Sequence, residues 1–122
     1  MTFDAKTILI VDDNADCREL LAELFTACGH LAHQAEDGAA ALRAVAEQRP
    51  HVVVLDIGLP DMDGYEVAAR IRAAPGNREV LLIALSGYGQ PEHRRKSLEA
   101  GCNVHLLKPV DINELMTEIQ AV

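Results

Sequence analysis

Three stretches of the chain are apolar almost without a break, and each stops at a polar side chain. Thr7-Ile8-Leu9-Ile10-Val11 runs into Asp12-Asp13, Val52-Val53-Val54-Leu55 into Asp56, and Val80-Leu81-Leu82-Ile83-Ala84-Leu85 into Ser86. Continuous apolar runs of this length, rich in β-branched residues, predict strands buried on both faces, as in the middle of a parallel sheet. The expected spans are 7–11, 51–56 and 79–85. Leu31 to Ala35 is more polar and predicts a strand at a sheet edge. Asn103 to Leu107 predicts a fifth strand, stopped by Lys108-Pro109.

Helical periods fill the gaps. Asn14 is placed to cap a first helix, along which Cys17, Leu20, Leu21, Leu24, Phe25 and Cys28 recur until Gly29 stops it. Ala39 to Gln48 predicts a second helix with Leu42, Val45 and Ala46 on one side, ended by Pro50. A third starts near Asp63, turns Val67, Ala68 and Ile71 inward, and closes at Ala74-Pro75-Gly76-Asn77. Pro91 suits the first turn of a fourth, and Gly101 its end. Asp111 caps a fifth, whose Ile112, Leu115, Met116, Ile119 and Val122 keep a 3.6-residue period.

The fourth helix is the exception, with little apolar surface beyond Leu98 and Ala100. It is expected to be solvated and weakly held, supported by Glu92–Lys96 and Arg95–Glu99 pairs together worth about 1 kcal/mol or less. Strand and helix alternate five times, with no linker or low-complexity tract. That pattern implies one α/β domain over 1–122, a parallel sheet with helices on both faces.

Composition narrows the function. The 122 residues, 49% of them apolar, hold one core. A net charge of -8 argues against a nucleic-acid surface. No run approaches the roughly 18 apolar residues that read as a membrane span. The start, Met1-Thr2-Phe3-Asp4-Ala5-Lys6, lacks the build of a signal peptide, so a cytoplasmic setting is expected. Cys17, Cys28 and Cys102 are odd in number with no C-x-x-C spacing, against a disulfide framework or zinc site. Each is expected to be a small buried residue. His30 and His33 flank a strand and point to opposite faces, and no H-E-x-x-H pattern occurs.

The strand ends carry the candidate chemistry. In a parallel sheet, Asp12-Asp13, Asp56, Ser86 and Lys108 fall along one rim, where open α/β sheets bind ligands. Two carboxylates about 4–5 Å apart repel by roughly 3–4 kcal/mol at an effective dielectric of about 20. Lys108 offsets one charge, not all. A divalent cation is the natural remedy, and an all-oxygen set with few protein ligands favours Mg2+. A carboxylate there is able to attack a phosphoryl group and form an aspartyl phosphate. Such transfer needs positioning and charge neutralisation, which the metal, Lys108 and the Ser86 hydroxyl would supply. No G-x-x-x-x-G-K-[ST] loop is present for a nucleotide, so the donor is expected to be another protein or a small phosphate ester.

With these residues in view, the chain resembles a receiver domain of two-component response regulators. The matching motifs are Ile8-Leu9-Ile10-Val11-Asp12-Asp13-Asn14, Asp56-Ile57-Gly58-Leu59-Pro60-Asp61-Met62-Asp63-Gly64, Ala84-Leu85-Ser86-Gly87, Ala100-Gly101 and Lys108-Pro109. The resemblance implies a flavodoxin-like three-layer α/β/α fold with strand order 2-1-3-4-5. It implies Asp56 as phosphoacceptor, and Asp12, Asp13, Asp56 and the Gly58 backbone carbonyl as Mg2+ ligands. Ser86 would be the switch hydroxyl and Lys108 the phosphate-binding lysine, followed by a Lys108-Pro109 bond that is commonly cis. The partner would be a histidine kinase or a histidine phosphotransfer protein, with no nucleic acid and no membrane, the chain itself a monomer or weak homodimer.

Two departures stand out. Where the family often has Tyr or Phe three residues before the lysine, this chain has His105, read as half-buried, which puts the usual aromatic coupling in question. The positions that tune hydrolysis hold Gly58 and Tyr88, which implies slow self-dephosphorylation. The 86–90 loop and the 106–111 segment resemble receivers attached to hybrid histidine kinases. Two other classes compete. A small Mg2+-dependent phosphatase with Asp56 as nucleophile would need an acid where Gly58 stands. A flavin binder would need aromatic residues beyond two Tyr and two Phe.

Overall fold

The computed structural model describes residues 5–76, 79–87 and 91–120. The start of the chain before Ala5, Asn77, Tyr88, Val122 and the Glu92 side chain lie outside that description. Strand and helix alternate in the order β1 (Thr7–Val11), α1 (Ala15–Ala27), β2 (Leu31–Ala35), α2 (Gly38–Gln48), β3 (Val52–Asp56), α3 (Gly64–Ala73), β4 (Leu81–Ser86), α4 (Pro91–Glu99), β5 (Val104–Leu107) and α5 (Ile112–Gln120). All strand pairs are parallel, in the order β2-β1-β3-β4-β5. The parallel sheet is what the alternation predicts, and its order is the flavodoxin-like one that the resemblance implies.

Register places the rim. Val11 pairs with Leu55, so the next residues, Asp12 and Asp56, come level. Asp56 pairs with Leu85, one residue before Ser86, and Ser86 with Leu107, one residue before Lys108. A strand rises about 3.3 Å per residue, so the four ends are staggered by little more than one step.

The apolar strands serve both faces through their two-residue alternation. Leu9, Val11, Val53, Leu55, Leu82 and Ala84 pack with Val45, Val67 and Ile71 of α2 and α3. Ile8, Ile10, Val52, Val54, Ile83 and Leu85 pack with Leu21, Phe25, Leu115 and Ile119 of α1 and α5. Each fully buried Val, Leu or Ile contributes about 1.5–3 kcal/mol relative to exposure, so the central strands dominate stability.

Helix faces differ in detail from the periodic expectation. On α1 the buried stripe is Leu21, Ala22 and Phe25. Leu20 is 57% exposed, and Cys17 and Cys28 are exposed too, so of the three cysteines only Cys102 is buried. On α2 the buried residues are Gly38, Ala41 and Val45, with Ala46 outside. A helix on a sheet needs small residues where the backbones approach most closely, which moves the stripe onto Ala22 and Ala41. β4 begins two residues later than expected, at Leu81.

On α4, Leu98 is 50% exposed and the buried residue is Ser97, whose hydroxyl donates to the His93 carbonyl. The Arg95–Glu99 pair is present at 3.8 Å, fully at the surface. α4 lies against β5 and α3. Asp111 caps α5 as expected, accepting from Asn113 N at 2.9 Å and Glu114 N at 3.3 Å. The Lys108-Pro109 bond is cis.

Candidate functional site

Asp12 leaves β1 at the rim and is turned inward by its neighbours. The Asn14 amide donates to Asp12 Oδ1 at 2.9 Å, while the Asn14 side chain caps α1 by accepting from Cys17 N at 3.0 Å. One asparagine therefore ends the loop and begins the helix. Arg18 Nη1 donates to the Asp12 carbonyl at 2.9 Å, and its Nε donates to Gln34 Oε1 of β2 at 3.1 Å. Asp12 is buried, and Asp13 beside it is exposed.

Asp56 ends β3 and is also buried. Its Oδ1 accepts from Gly58 N at 3.1 Å, and its Oδ2 faces Lys108 Nζ at 3.2 Å. Lys108 Nζ is 3.6 Å from Asp12 Oδ2 as well. The lysine reaches this point because β5 is hydrogen-bonded beside β4, with Lys108 N donating to the Ser86 carbonyl at 2.9 Å. The carboxylates of Asp12, Asp13 and Asp56 each offer an oxygen, all within 4.8 Å of one another.

The electrostatics agree with the geometry. Burial pushes the Asp12 carboxyl above the usual carboxylate range, and the Asp56 and Asp13 charges add to that, against the Asn14 amide and Lys108. Burial alone would lower the Lys108 ammonium, but the Asp56 and Asp12 charges outweigh it and raise its pKa. Burial leads at Asp12 and the carboxylate charges lead upward at Lys108, and in both the crowding of negative charge pushes the pKa up. An all-oxygen donor set of this kind, open to water through Asp13 and Gly58, fits a hard divalent cation such as Mg2+.

Ser86 ends β4 and is buried, one strand over from Asp56. Its hydroxyl is hydrogen-bonded to His105 Nε2 at 2.9 Å. His105 is only 6% exposed, not half-buried as the strand pattern suggests. Burial, then the Arg94 and His93 charges, lowers its pKa, so the imidazole is held neutral. His105 thus touches the Ser86 hydroxyl rather than the carboxylates. Pro109 is exposed beyond the lysine, and the Tyr88 expectation lies outside the described residues.

Sequence reasoning missed two supporting groups. Arg18 fixes the Asp12 backbone from α1. Asp61 reaches back to α2, its Oδ1 accepting from Gly38 N at 2.8 Å and its Oδ2 from Ala39 N at 3.1 Å. Arg18 acts on a backbone carbonyl, which no residue pattern marks, and Asp61 on amides 22–23 positions away. Among the described residues no helix is long and apolar enough to cross a membrane.

A model of the response regulator receiver domain matches residues 8–120. Sporulation initiation phosphotransferase F of Bacillus subtilis is 37% identical over 113 residues, covering 93% of this chain and 90% of that protein. A probable transcriptional regulator of Guillardia theta is 36% identical, covering 94% of this chain but 44% of that protein. Among solved structures, a putative response regulator from Chloroflexus aurantiacus superposes with a TM-score of 0.90 at 29% identity, covering 97% of each chain. A chemotaxis response regulator of Vibrio cholerae superposes with a TM-score of 0.90 at 24% identity, a likeness of fold.

Proposed function

The chain belongs to the response regulator receiver domain family, and from that membership we propose how its own residues accept and report a phosphoryl group. Members of this family are signalling switches of two-component systems rather than enzymes with a turnover substrate. The phosphoryl donor is a phosphohistidine on a histidine kinase or a histidine phosphotransfer protein. An Asp56 carboxylate oxygen attacks phosphorus, forming an O–P bond as the N–P bond breaks. The bonding pair returns to the donor imidazole, which takes a proton from water. The product is an acyl phosphate on Asp56.

The Asp12, Asp13 and Asp56 carboxylates and the Gly58 carbonyl would hold Mg2+, which when bound would supply positive charge against the crowded oxygens. The chain's own groups do the rest. Asp12 and Asp13 hold the acidic pocket. Lys108 neutralises Asp56 before transfer; afterwards the negative charge sits on the phosphoryl oxygens, and Lys108 follows it. The Ser86 hydroxyl donates to a phosphoryl oxygen, which redirects it relative to His105. That redirection shifts β5, α4 and the α4/β5/α5 surface presented to partners. Gly58 offers no side chain to orient a water, so the chain dephosphorylates itself slowly. The hybrid-kinase resemblance rests in part on the 86–90 loop, most of which lies outside the described residues.

The observation that carries this reading is the meeting of the Asp12, Asp13 and Asp56 carboxylates within 4.8 Å, with Lys108 3.2 Å from Asp56. The phosphatase alternative is not favoured, because Gly58 stands where such an enzyme places its acid. Incubation with acetyl phosphate and Mg2+, followed by intact mass, tests the reading. One acid-stable, base-labile phosphate is expected, absent in Asp56→Asn. An adduct of equal yield in Asp56→Asn contradicts it.

A further inference from the structure

The first turn of α2 is capped twice, once from nearby and once from far away. A helix opens with N–H groups that lack partners of their own. Asp37, the local cap, accepts from Ala40 N at 2.8 Å. Gly38 N and Ala39 N instead donate to the two carboxylate oxygens of Asp61, at 2.8 and 3.1 Å. Asp61 belongs to the loop joining β3 to α3, three residues after Gly58. The base of that loop is closed by its own backbone: Ile57 N donates to the Leu85 carbonyl at 3.1 Å and Gly64 N to the Ile57 carbonyl at 3.0 Å. The outer arc, which carries Gly58, has no such backbone tie among the described residues. Gly58 N is held by Asp56 Oδ1 at the end of β3, at 3.1 Å, and Asp61 is the side chain that anchors the arc to α2.

The contact is close as well as polar. A Cβ at Gly38 would lie 2.9 Å from the Met62 Cβ, so only glycine lets α2 come this near the loop. α2 in turn follows β2 directly, and the β2 carbonyl of Ala35 accepts from Asp12 N at 3.1 Å. Through Asp61, the loop bearing Gly58 is tied to the segment that holds Asp12. The two halves of the acidic site, distant in sequence, share one strut.

We infer that Asp61 is a positioning residue for the cation: its bidentate hold on α2 fixes the β3–α3 loop so that Gly58 is set relative to Asp12 and Asp56 before any ion arrives. This rests on the reading of Gly58 as a backbone ligand. Asp61 touches neither the cation nor the phosphoryl group. Without it, α2 keeps Asp37 and still forms, but the loop must be ordered by the ion, and part of the binding free energy goes to ordering it.

Asp37 supplies the control, because Asp37→Ala removes the same charge from the same end of the same helix without touching the loop. Mg2+ titration by calorimetry and metal-free thermal unfolding would be run on the wild type, Asp61→Ala, Asp61→Asn, Asp37→Ala and Asp13→Asn. Asp61→Ala is expected to raise the Mg2+ dissociation constant about tenfold, as loss of an outer-shell support does. Asp61→Asn, which keeps one acceptor oxygen, should give a smaller rise, and it carries the comparison if the alanine variant does not fold. Asp37→Ala should lower the melting temperature and leave the dissociation constant unchanged. An unchanged constant in both Asp61 variants, or an equal rise in Asp37→Ala, overturns the inference. If the wild type takes up no Mg2+, or Asp13→Asn binds it as well, the metal site itself has failed and the strut falls with it; a normal Asp13→Asn response with unaffected Asp61 variants sinks the strut alone.

Discussion

The hydrogen bond between Ser86 and His105 joins the only hydroxyl on the described strand-end rim to a ring buried beneath it. Where the family often has Tyr or Phe, this chain has a ring with two hydrogen-bonding nitrogens. An imidazole adds a bond: in one tautomer Nε2 accepts from the hydroxyl, in the other it donates and frees the hydroxyl to point at a phosphoryl oxygen. His105→Phe should therefore leave acetyl-phosphate labelling of Asp56 intact while altering the chemical-shift change that labelling produces in β5 and α4. Identical shift changes in wild type and variant would show that the bond transmits nothing. The same imidazole makes stability depend on pH. Its folded pKa lies below the ordinary 6.5, so as pH falls through 6.5 the unfolded chain takes the proton first. Stability is complete above 6.5 and declines below it, and His30, lowered by burial and Lys6, acts in the same direction. Urea unfolding on either side of that pH should show a slope that His105→Phe reduces; an undiminished slope would assign the effect elsewhere. Gly58 is a further test at single-residue level. A Cβ there would meet only Asp56 Oδ1, at an ordinary 3.9 Å, so Gly58→Asn should fold and shorten the lifetime of the phosphorylated form. An unchanged lifetime would remove the argument for slow hydrolysis.

Among the secondary-structure elements, the central strands and α4 stand at opposite ends. β3 is buried at every position, and its Val52-Val53-Val54-Leu55 run has no reading but an interior strand. That is why the sheet and its rim were legible in the sequence: a continuous apolar run fixes where the carboxylate emerges. Helix faces were less legible, because periodicity identifies a stripe to within a residue but not where close approach demands alanine. Leu20, Cys17 and Cys28 follow the period of α1 and still face outward. The role of Asp61 and the bond from His105 to Ser86 were illegible for another reason, since they lie in partners 22–23 and 19 positions away, although the position of His105 was itself singled out. α4 was read as weakly held, and its structure deepens that reading, with Ser97 rather than Leu98 facing in. Leu98→Ala should cost no more than about 0.5 kcal/mol, whereas Leu115→Ala, in the α5 core face, should cost about 2–5 kcal/mol. Equal losses in denaturant titrations would contradict the assigned faces. Tyr65 Oη lies 3.3 Å from His93 Nδ1, joining α3 to α4.

The molecule as a whole folds around a concentration of negative charge that its folded state partly resents. Sheet register brings Asp12 level with Asp56, while the chain carries a net charge of -8. A cation that binds only the folded form stabilises it by about 2.7 kcal/mol at a hundred times its dissociation constant. Chelation of Mg2+ should accordingly lower the melting temperature of the wild type and leave that of Asp13→Asn nearly unmoved; equal shifts would place the ion elsewhere. The central claim is narrower, that one carboxylate of the three receives the phosphoryl group. Borohydride reduces an aspartyl phosphate to homoserine, and peptide mapping then locates it. After labelling with acetyl phosphate and Mg2+, homoserine is predicted at position 56 and nowhere else. Homoserine at 12 or 13, or a phosphorylated chain with aspartate intact at 56, would contradict the account.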